Sequence, residues 1–85
     1  MKTDCILVFD SIHRVMKAEK ILMAEGIDMR LIPTPRHISS DCGMVVQIHR
    51  SDAELVLSLL RDGDVEIAGV YDLEGQKGDV NVRRD

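Results

Sequence analysis

The order of apolar and polar positions along the chain predicts four short strands. An uninterrupted apolar run at 5–9 is typical of a strand that is buried on both faces, and therefore of a central strand. Three further strands are predicted at 28–33, 44–49 and 65–71, where apolar positions alternate with polar ones or form a short run.

Two helices are predicted between these strands. Apolar residues recur at helical spacing over 12–25, directly after Ser11, which is a favourable N-cap. A second helix is predicted over 51–61, where Ser51 and Glu54 have the spacing of a capping box.

The resulting order, β-α-β-β-α-β, predicts an α+β fold of the ferredoxin-like kind. It has a four-stranded, mainly antiparallel sheet with both helices on one face. We expect a single domain at 1–73 and a polar tail at 74–85, with a short edge strand at 80–82. In this topology the end of the first strand lies beside the start of the third. One rim of the sheet should therefore gather Asp10, Ser11, His13, the loop 34–43 and the turn 61–64.

Composition narrows the classes of function. The chain has 85 residues, 45% of them hydrophobic, which fits one small globular domain. One Phe, one Tyr and no Trp give little surface for stacking bases, and the net charge of -4 argues against nucleic-acid or anionic-membrane binding. Residues 1–50 carry seven basic and six acidic side chains, whereas 51–85 carry four and nine. An anionic ligand is therefore expected in the first half.

The two cysteines and the N-terminus indicate a reducing compartment. Cys5 and Cys42 belong to no Cys-x-x-Cys motif, and with three scattered histidines they form no metal-ligand pattern. No apolar stretch has the length of a signal peptide or of a membrane span. We therefore expect a cytoplasmic protein without a metal or another cofactor.

Cys42 is the first candidate for chemistry. It precedes Gly43 in a polar loop, and a glycine there can take a positive φ and lets another chain approach the backbone. Arg36, His13 and the helix start at Ser11 could lower the pKa of the thiol and stabilise its anion. Alternatively, Cys42 simply packs beneath its loop, since unpaired cysteines are often buried. The pattern leaves both interpretations open.

The remaining polar candidates have structural alternatives of the same kind. Ser39 and Ser40 could donate hydrogen bonds to a ligand, or they could hydrogen-bond the loop backbone as local turns.

Cys5 begins an apolar strand and is interpreted as a core residue at the opposite end of the sheet from Cys42, too far away for a disulfide. His49 lies at that far end too, and the sequence assigns it no role.

Several segments of the first half resemble a known family. They are Phe9-Asp-Ser-x-His13, Ala18-Glu19-Lys20, Leu31-Ile-Pro-x-Pro-Arg36 and Ile38-Ser-Ser-x-Cys-Gly43. Together they resemble the small family of selenium/sulfur carrier protein-like domains. The resemblance implies that Cys42 holds sulfur or selenium as a persulfide or selenosulfide, and that the partners are sulfur or selenium donor and acceptor proteins. A carrier of this kind needs an accessible thiolate and no enclosed pocket, so the chain is interpreted as a carrier rather than an enzyme.

Two other classes of function are compatible with the sequence. The chain could be a non-catalytic module that binds a small molecule or a protein and forms a homodimer through an apolar, uncovered sheet face. It could also be a thiol-disulfide redox protein, but that function needs a second thiol near Cys42.

Overall fold

The computed structural model describes residues 4–36, 38 and 42–72, which form one sheet with two helices. The elements are β1 (Asp4–Val8), α1 (Ile12–Ala24), β2 (Met29–Pro33), β3 (Met44–His49), α2 (Ala53–Asp62) and β4 (Gly69–Asp72). A 3-10 turn at Arg50–Asp52 leads into α2. The predicted edge strand at 80–82 and the tail at 74–85 lie outside the described residues.

The sheet has the order β2-β3-β1-β4, and each neighbouring pair is antiparallel. Leu7 of β1 pairs with Val46 of β3 and with Val70 of β4. β1 and β3 are therefore the two central strands. This order confirms the predicted ferredoxin-like α+β fold.

β1 is buried on both faces of the sheet, as its apolar run predicts. Cys5, Leu7 and Phe9 belong to the main core beneath the two helices. The helices complete that core with Val15, Ala18, Leu22, Ala53, Val56 and Leu60. Ile6 and Val8 point to the other face, because side chains alternate along a strand. There they form a smaller cluster with Val45 and Ile38.

The sheet face opposite the helices is not an open apolar surface. At its centre Ile6 and Val45 are 0% exposed and Val8 is 3% exposed, and Ile38 packs against them at 5%. A homodimer through this face would need apolar side chains that solvent can reach. The homodimer therefore stays a prediction without support from this part of the sheet.

The N-terminus of α1 is confirmed, whereas the start predicted for α2 is wrong. Ser11 caps α1, and its hydroxyl accepts a hydrogen bond from the backbone N–H of Arg14 at 3.3 Å. α2 has no capping box, because its N-cap is Asp52, which makes no side-chain capping bond. The preceding 3-10 turn replaces the box, since its Arg50 carbonyl accepts from the N–H of Ala53.

β4 begins later than the predicted 65–71. The N–H of Ala68 donates to the carbonyl of Val8 at 2.7 Å, and the paired register with β1 begins at Gly69 opposite Val8. β1 ends at Val8, so the residues before Ala68 have no strand to pair with. Val65 instead anchors this segment by inserting its side chain into the main core, where it is 5% exposed.

The turn 61–64 does not lie at the predicted rim beside Ser11. Gly63 lies against Ile21, in the C-terminal half of α1, where an added Cβ would be 2.5 Å from Cδ1 of Ile21. The chain reaches the start of α1 at Glu66, which pairs with Arg14.

Candidate functional site

The register of the central strands brings the end of β1 and the start of β3 together. Because Leu7 is paired with Val46, the residues that follow Val8 lie beside those that precede Met44. This rim therefore joins the start of α1 to the segment that carries Cys42. The juxtaposition expected from the topology is present for these two segments.

Cys42 lies inside the protein rather than on this rim. It is 4% exposed and belongs to the main core with Phe9, Val15 and Val46. Side chains alternate between the two faces of β3, and those of Met44, Val46 and Ile48 point toward the helices. Cys42 precedes Met44 by two residues, so its side chain points toward the helices as well. The accessible thiol expected of a carrier is therefore covered in this structure.

Thr34 ties the backbone at Cys42 to the end of β2. Its hydroxyl donates to the carbonyl of Cys42 at 2.8 Å, and its N–H donates to the carbonyl of Gly43 at 3.0 Å. Sequence reasoning missed this role of Thr34. The antiparallel pairing of Pro33 with Met44 could have revealed it, since it places the adjacent Thr34 and Gly43 opposite each other.

Gly43 is exposed and leaves its surroundings open. A Cβ built on it would have no atom of the described residues within 4 Å. Gly43 does not use the positive φ that a glycine can adopt, because Gly26 is the glycine with positive φ among the described residues. The role of Gly43 in letting another chain approach stays a prediction.

The charged side chain that the structure anchors at the rim is Arg14. Its guanidinium lies 3.4 Å from the carboxylate of Asp10 and 3.5 Å from that of Glu66. Ser11 uses its hydroxyl oxygen to accept the N–H of the same residue. The start of α1 thus already has a capping partner and two carboxylates close by.

The other predicted anion-binding residues are less fixed. His13 and Arg36 are both exposed, and neither forms an ion pair or side-chain hydrogen bond within the part of the chain that the structure describes. Ser39 and Ser40 lie outside the described residues. The roles of His13, Arg36, Ser39 and Ser40 stay predictions.

Cys5 is a core residue, as predicted. It is 0% exposed and sits in β1 between β3 and β4, paired with Ile48 and Asp72. Burial raises the pKa of its thiol, an effect that Arg50 opposes and Asp4 reinforces. The two cysteines are not joined by a disulfide, and they lie at opposite ends of the central strands.

A polar cluster at the far end of the sheet was missed by the sequence reasoning. The Nδ1 of His49 lies 3.2 Å from Asp4, and its Nε2 lies 2.8 Å from Asp28. Gln47 donates to the second oxygen of Asp4 at 2.7 Å. With Arg30 these side chains line an open pocket of about 210 Å³. The cluster depends on the pairing of Asp4 with His49, and that pairing is known only once the register of β1 and β3 is known.

The two carboxylates favour the protonated form of His49. The pKa of this imidazole is raised above 6.5, first by the hydrogen bond to Asp28 and then by the one to Asp4. Since a carboxylate accepts hydrogen bonds and does not donate them, both ring nitrogens must carry a proton for both bonds to form. Protonated His49 therefore links the start of β1, the segment before β2 and the end of β3.

We expect His49→Gln to remove a pH-dependent part of the stability. The raised pKa means that His49 contributes fully below about 6.5 and that its contribution is lost as the pH rises through the folded-state value. The urea midpoint of the wild type should exceed that of the variant at about pH 5.5, and the two should converge by about pH 9. His13→Gln is the control, and a constant gap between wild type and His49→Gln across this range would contradict the prediction.

Two features that the described residues lack bear on the class of function. No group of three or more His, Cys, Asp or Glu side chains there could hold a metal ion. None of the helices found in the same residues combines the length and the apolar character that crossing a membrane requires.

Comparison with known proteins gives one match. The family described as Putative Se/S carrier protein-like matches residues 4–72, a stretch that contains every strand and helix given above. No curated protein and no solved structure matches the chain. The matched stretch includes all four segments, between Phe9 and Gly43, on which the resemblance rests. Because the match covers most of the chain, this protein belongs to the Se/S carrier protein-like family.

Proposed function

We propose that the protein carries sulfur or selenium on the thiol of Cys42, as a persulfide or a selenosulfide. The observation that carries the proposal is the contrast between the two cysteines. Cys5 lies within β1 and has a paired strand on each side, so reaching its thiol would require breaking the sheet. Cys42 lies outside the strands, just before β3, where the backbone is tied by two hydrogen bonds to Thr34.

The chemistry needs one thiolate and a partner that brings a persulfide. The Cys42 thiolate attacks the outer sulfur of a donor persulfide, a new S–S bond forms at Cys42, and the S–S bond of the donor breaks. The donor leaves as a thiolate and the transferred sulfur keeps its proton. An acceptor thiolate then removes the outer sulfur in the same way, so no external oxidant or reductant is consumed.

Burial of Cys42 gives the carrier a protected resting state. A thiol that is 4% exposed reacts slowly with small molecules, and a persulfide in the same place would be shielded from free thiols and water. Transfer then requires a local opening at Cys42, which costs far less than global unfolding when few contacts are lost. We propose donor and acceptor proteins as the partners that use this opening, in a reducing cytoplasm that keeps the thiol available.

The test is loading by a cysteine desulfurase. The protein is incubated with the desulfurase and L-cysteine, and its intact mass is measured before and after treatment with a reductant. We expect wild type to gain the mass of one sulfur atom that the reductant removes. Cys42→Ala should gain none, and the matched variant Cys5→Ala should behave as wild type.

A second loading reaction separates a failed donor from a failed carrier. Inorganic polysulfide supplies sulfane sulfur without any partner protein. If wild type stays unmodified with both reagents, or if Cys42→Ala is modified to the same extent as wild type, the carrier function is wrong. Loading by polysulfide alone would keep Cys42 as the carrier and exclude the desulfurase as its donor.

A further inference from the structure

One flank of α1 carries three large apolar side chains that solvent reaches. Ile12 is 49% exposed, Met16 is 48% exposed and Met23 is 64% exposed. They are separated by four and then seven residues, a spacing that places them along one side of a helix. We call Ile12, Met16 and Met23 the α1 stripe. It is roughly 16 Å long, which is about three turns of a partner helix.

The α1 stripe is not needed for the core of this domain. The side of α1 that packs against the sheet is formed by Val15, Ala18 and Leu22, which are all 0% exposed. Scattered exposed apolar residues are ordinary, but an aligned set on one helix marks a surface that a partner can cover. Methionine is also frequent at protein-binding surfaces, because its flexible side chain adapts to a partner.

The neighbouring side of α1 carries two lysines and a histidine, of which Lys20 lies nearest to the α1 stripe. Lys20 follows Met16 by four residues and precedes Met23 by three, so it borders both. Lys17 precedes Lys20 by three residues and His13 precedes Lys17 by four, and all three are exposed. Neither lysine forms an ion pair within residues 4–36, 38 and 42–72.

Charge identifies the kind of partner that this surface fits. Apart from Arg14, which is paired with Asp10 and Glu66, α1 has two cations (Lys17 and Lys20) and one anion (Glu19), hence a net charge of +1 in a chain whose total is -4. An acidic partner is therefore attracted to this helix and repelled by most of the remaining surface. Glu19 lies in line with the α1 stripe, so the partner needs a polar or basic residue at one position of its apolar row.

We infer that the α1 stripe and its lysines are a docking surface for an acidic amphipathic helix of a partner protein. The helix would place apolar side chains on Ile12, Met16 and Met23 and carboxylates beside Lys17 and Lys20. A second copy of this chain fits less well, because two α1 helices would bring their lysines together. An anionic membrane also fits less well, because α1 has a narrow apolar side, no aromatic residue and an acidic domain behind it.

This docking surface is independent of the chemistry at Cys42, because it can be tested by binding alone. The probe is a synthetic helical peptide of about 20 residues, with leucines in one row and glutamates beside them. A second peptide has lysines in place of the glutamates. Titration is followed by the backbone amide chemical shifts of the labelled protein, which give both the affinity and the place of binding.

We expect the glutamate peptide to bind at least about tenfold more tightly than the lysine peptide, with the largest shifts around Met16 and Lys20. The double variant Met16→Gln/Met23→Gln should lose this binding, and Lys17→Ala/Lys20→Ala should lose the preference for glutamate. Leu55→Gln is the matched control, since Leu55 is 52% exposed on α2. All of these positions are exposed, and the amide spectrum of each variant reports whether it is folded.

Four results would overturn the inference. They are the absence of binding by the glutamate peptide, equal affinity for both peptides, shifts that map away from α1, and binding that survives the Met16→Gln/Met23→Gln change. Tight association with vesicles of anionic phospholipid would assign the surface to a membrane instead. A dimer in sedimentation that the same double variant abolishes would assign it to a second copy.

Discussion

Replacing Phe9 with alanine is expected to lower the free energy of unfolding by about 3–5 kcal/mol. Phe9 has the largest of the fully buried side chains, and it lies in the main core directly after β1. A domain of this size has a total stability of roughly 4–13 kcal/mol, so the variant should lose between about a quarter and all of it. Urea denaturation followed by circular dichroism measures the loss.

The effect of Phe9 can be separated from a general effect of removing apolar side chains. Met23→Ala removes an apolar side chain that is 64% exposed, and it should change the stability by less than about 0.5 kcal/mol. Phe9→Leu keeps most of the volume and should stay folded with a smaller loss. Similar losses in Phe9→Ala and Met23→Ala would contradict the packing of the main core described above.

The same side chain connects the stability of the domain to the candidate site. Phe9 and Cys42 belong to the same main core, near the point where β1 ends and β3 begins. A smaller side chain at position 9 loosens the packing of the core that covers the thiol. We therefore expect Phe9→Leu to make Cys42 more reactive as well as making the domain less stable.

Replacing Thr34 with valine is expected to expose Cys42 more often. The change removes the hydroxyl that donates to the carbonyl of Cys42 at 2.8 Å and keeps the shape of the side chain. A net loss of about 1 kcal/mol in the closed state corresponds to a roughly fivefold higher population of the open state. The rate of Cys42 modification by a small thiol reagent should rise by the same factor, as measured by mass spectrometry of peptides.

A control and a stability measurement decide whether the opening is local. Ser58→Ala removes a hydroxyl from the exposed side of α2 and should leave the modification rate unchanged. Cys5 should stay unmodified in Thr34→Val, because a reagent can reach its thiol only after the sheet is disrupted. If Cys5 and Cys42 are modified at equal rates, global unfolding rather than local opening controls access, and the protected resting state is wrong.

The fold could be predicted because its local signals agree with one another. The apolar run of β1, the N-cap at Ser11 and the strand-helix alternation each favour the same arrangement, and the sheet order confirms it. The errors lie where the path of the chain out of the preceding element overrides a local sequence signal. Ser51 and Glu54 have the spacing of a capping box, but the chain leaves β3 through a 3-10 turn that already uses the first backbone donor of α2.

The candidate site was predictable in position but not in exposure. Sequence and topology placed Cys42 and the start of α1 at one rim, and the register of β1 and β3 brings those segments together. Side chains of β3 point alternately toward the helices and away from them, and this alternation extends back to Cys42. It therefore decides whether the Cys42 thiol faces solvent. This alternation is fixed by the residues that pair across the sheet, so the polar composition of the loop left an exposed and a buried thiol both possible.

By itself the sequence predicted the order of strands and helices, the topology and the separation of the two cysteines, because these follow from the spacing of apolar residues and from which side of each strand they occupy. The tertiary structure decided which groups meet. Thr34 holds the backbone at Cys42, His49 lies between Asp4 and Asp28, and the core covers the Cys42 thiol. These contacts join residues that are distant along the chain. Their physical origin is the pairing register of the strands and the competition for space in a small core, neither of which is a property of any one segment.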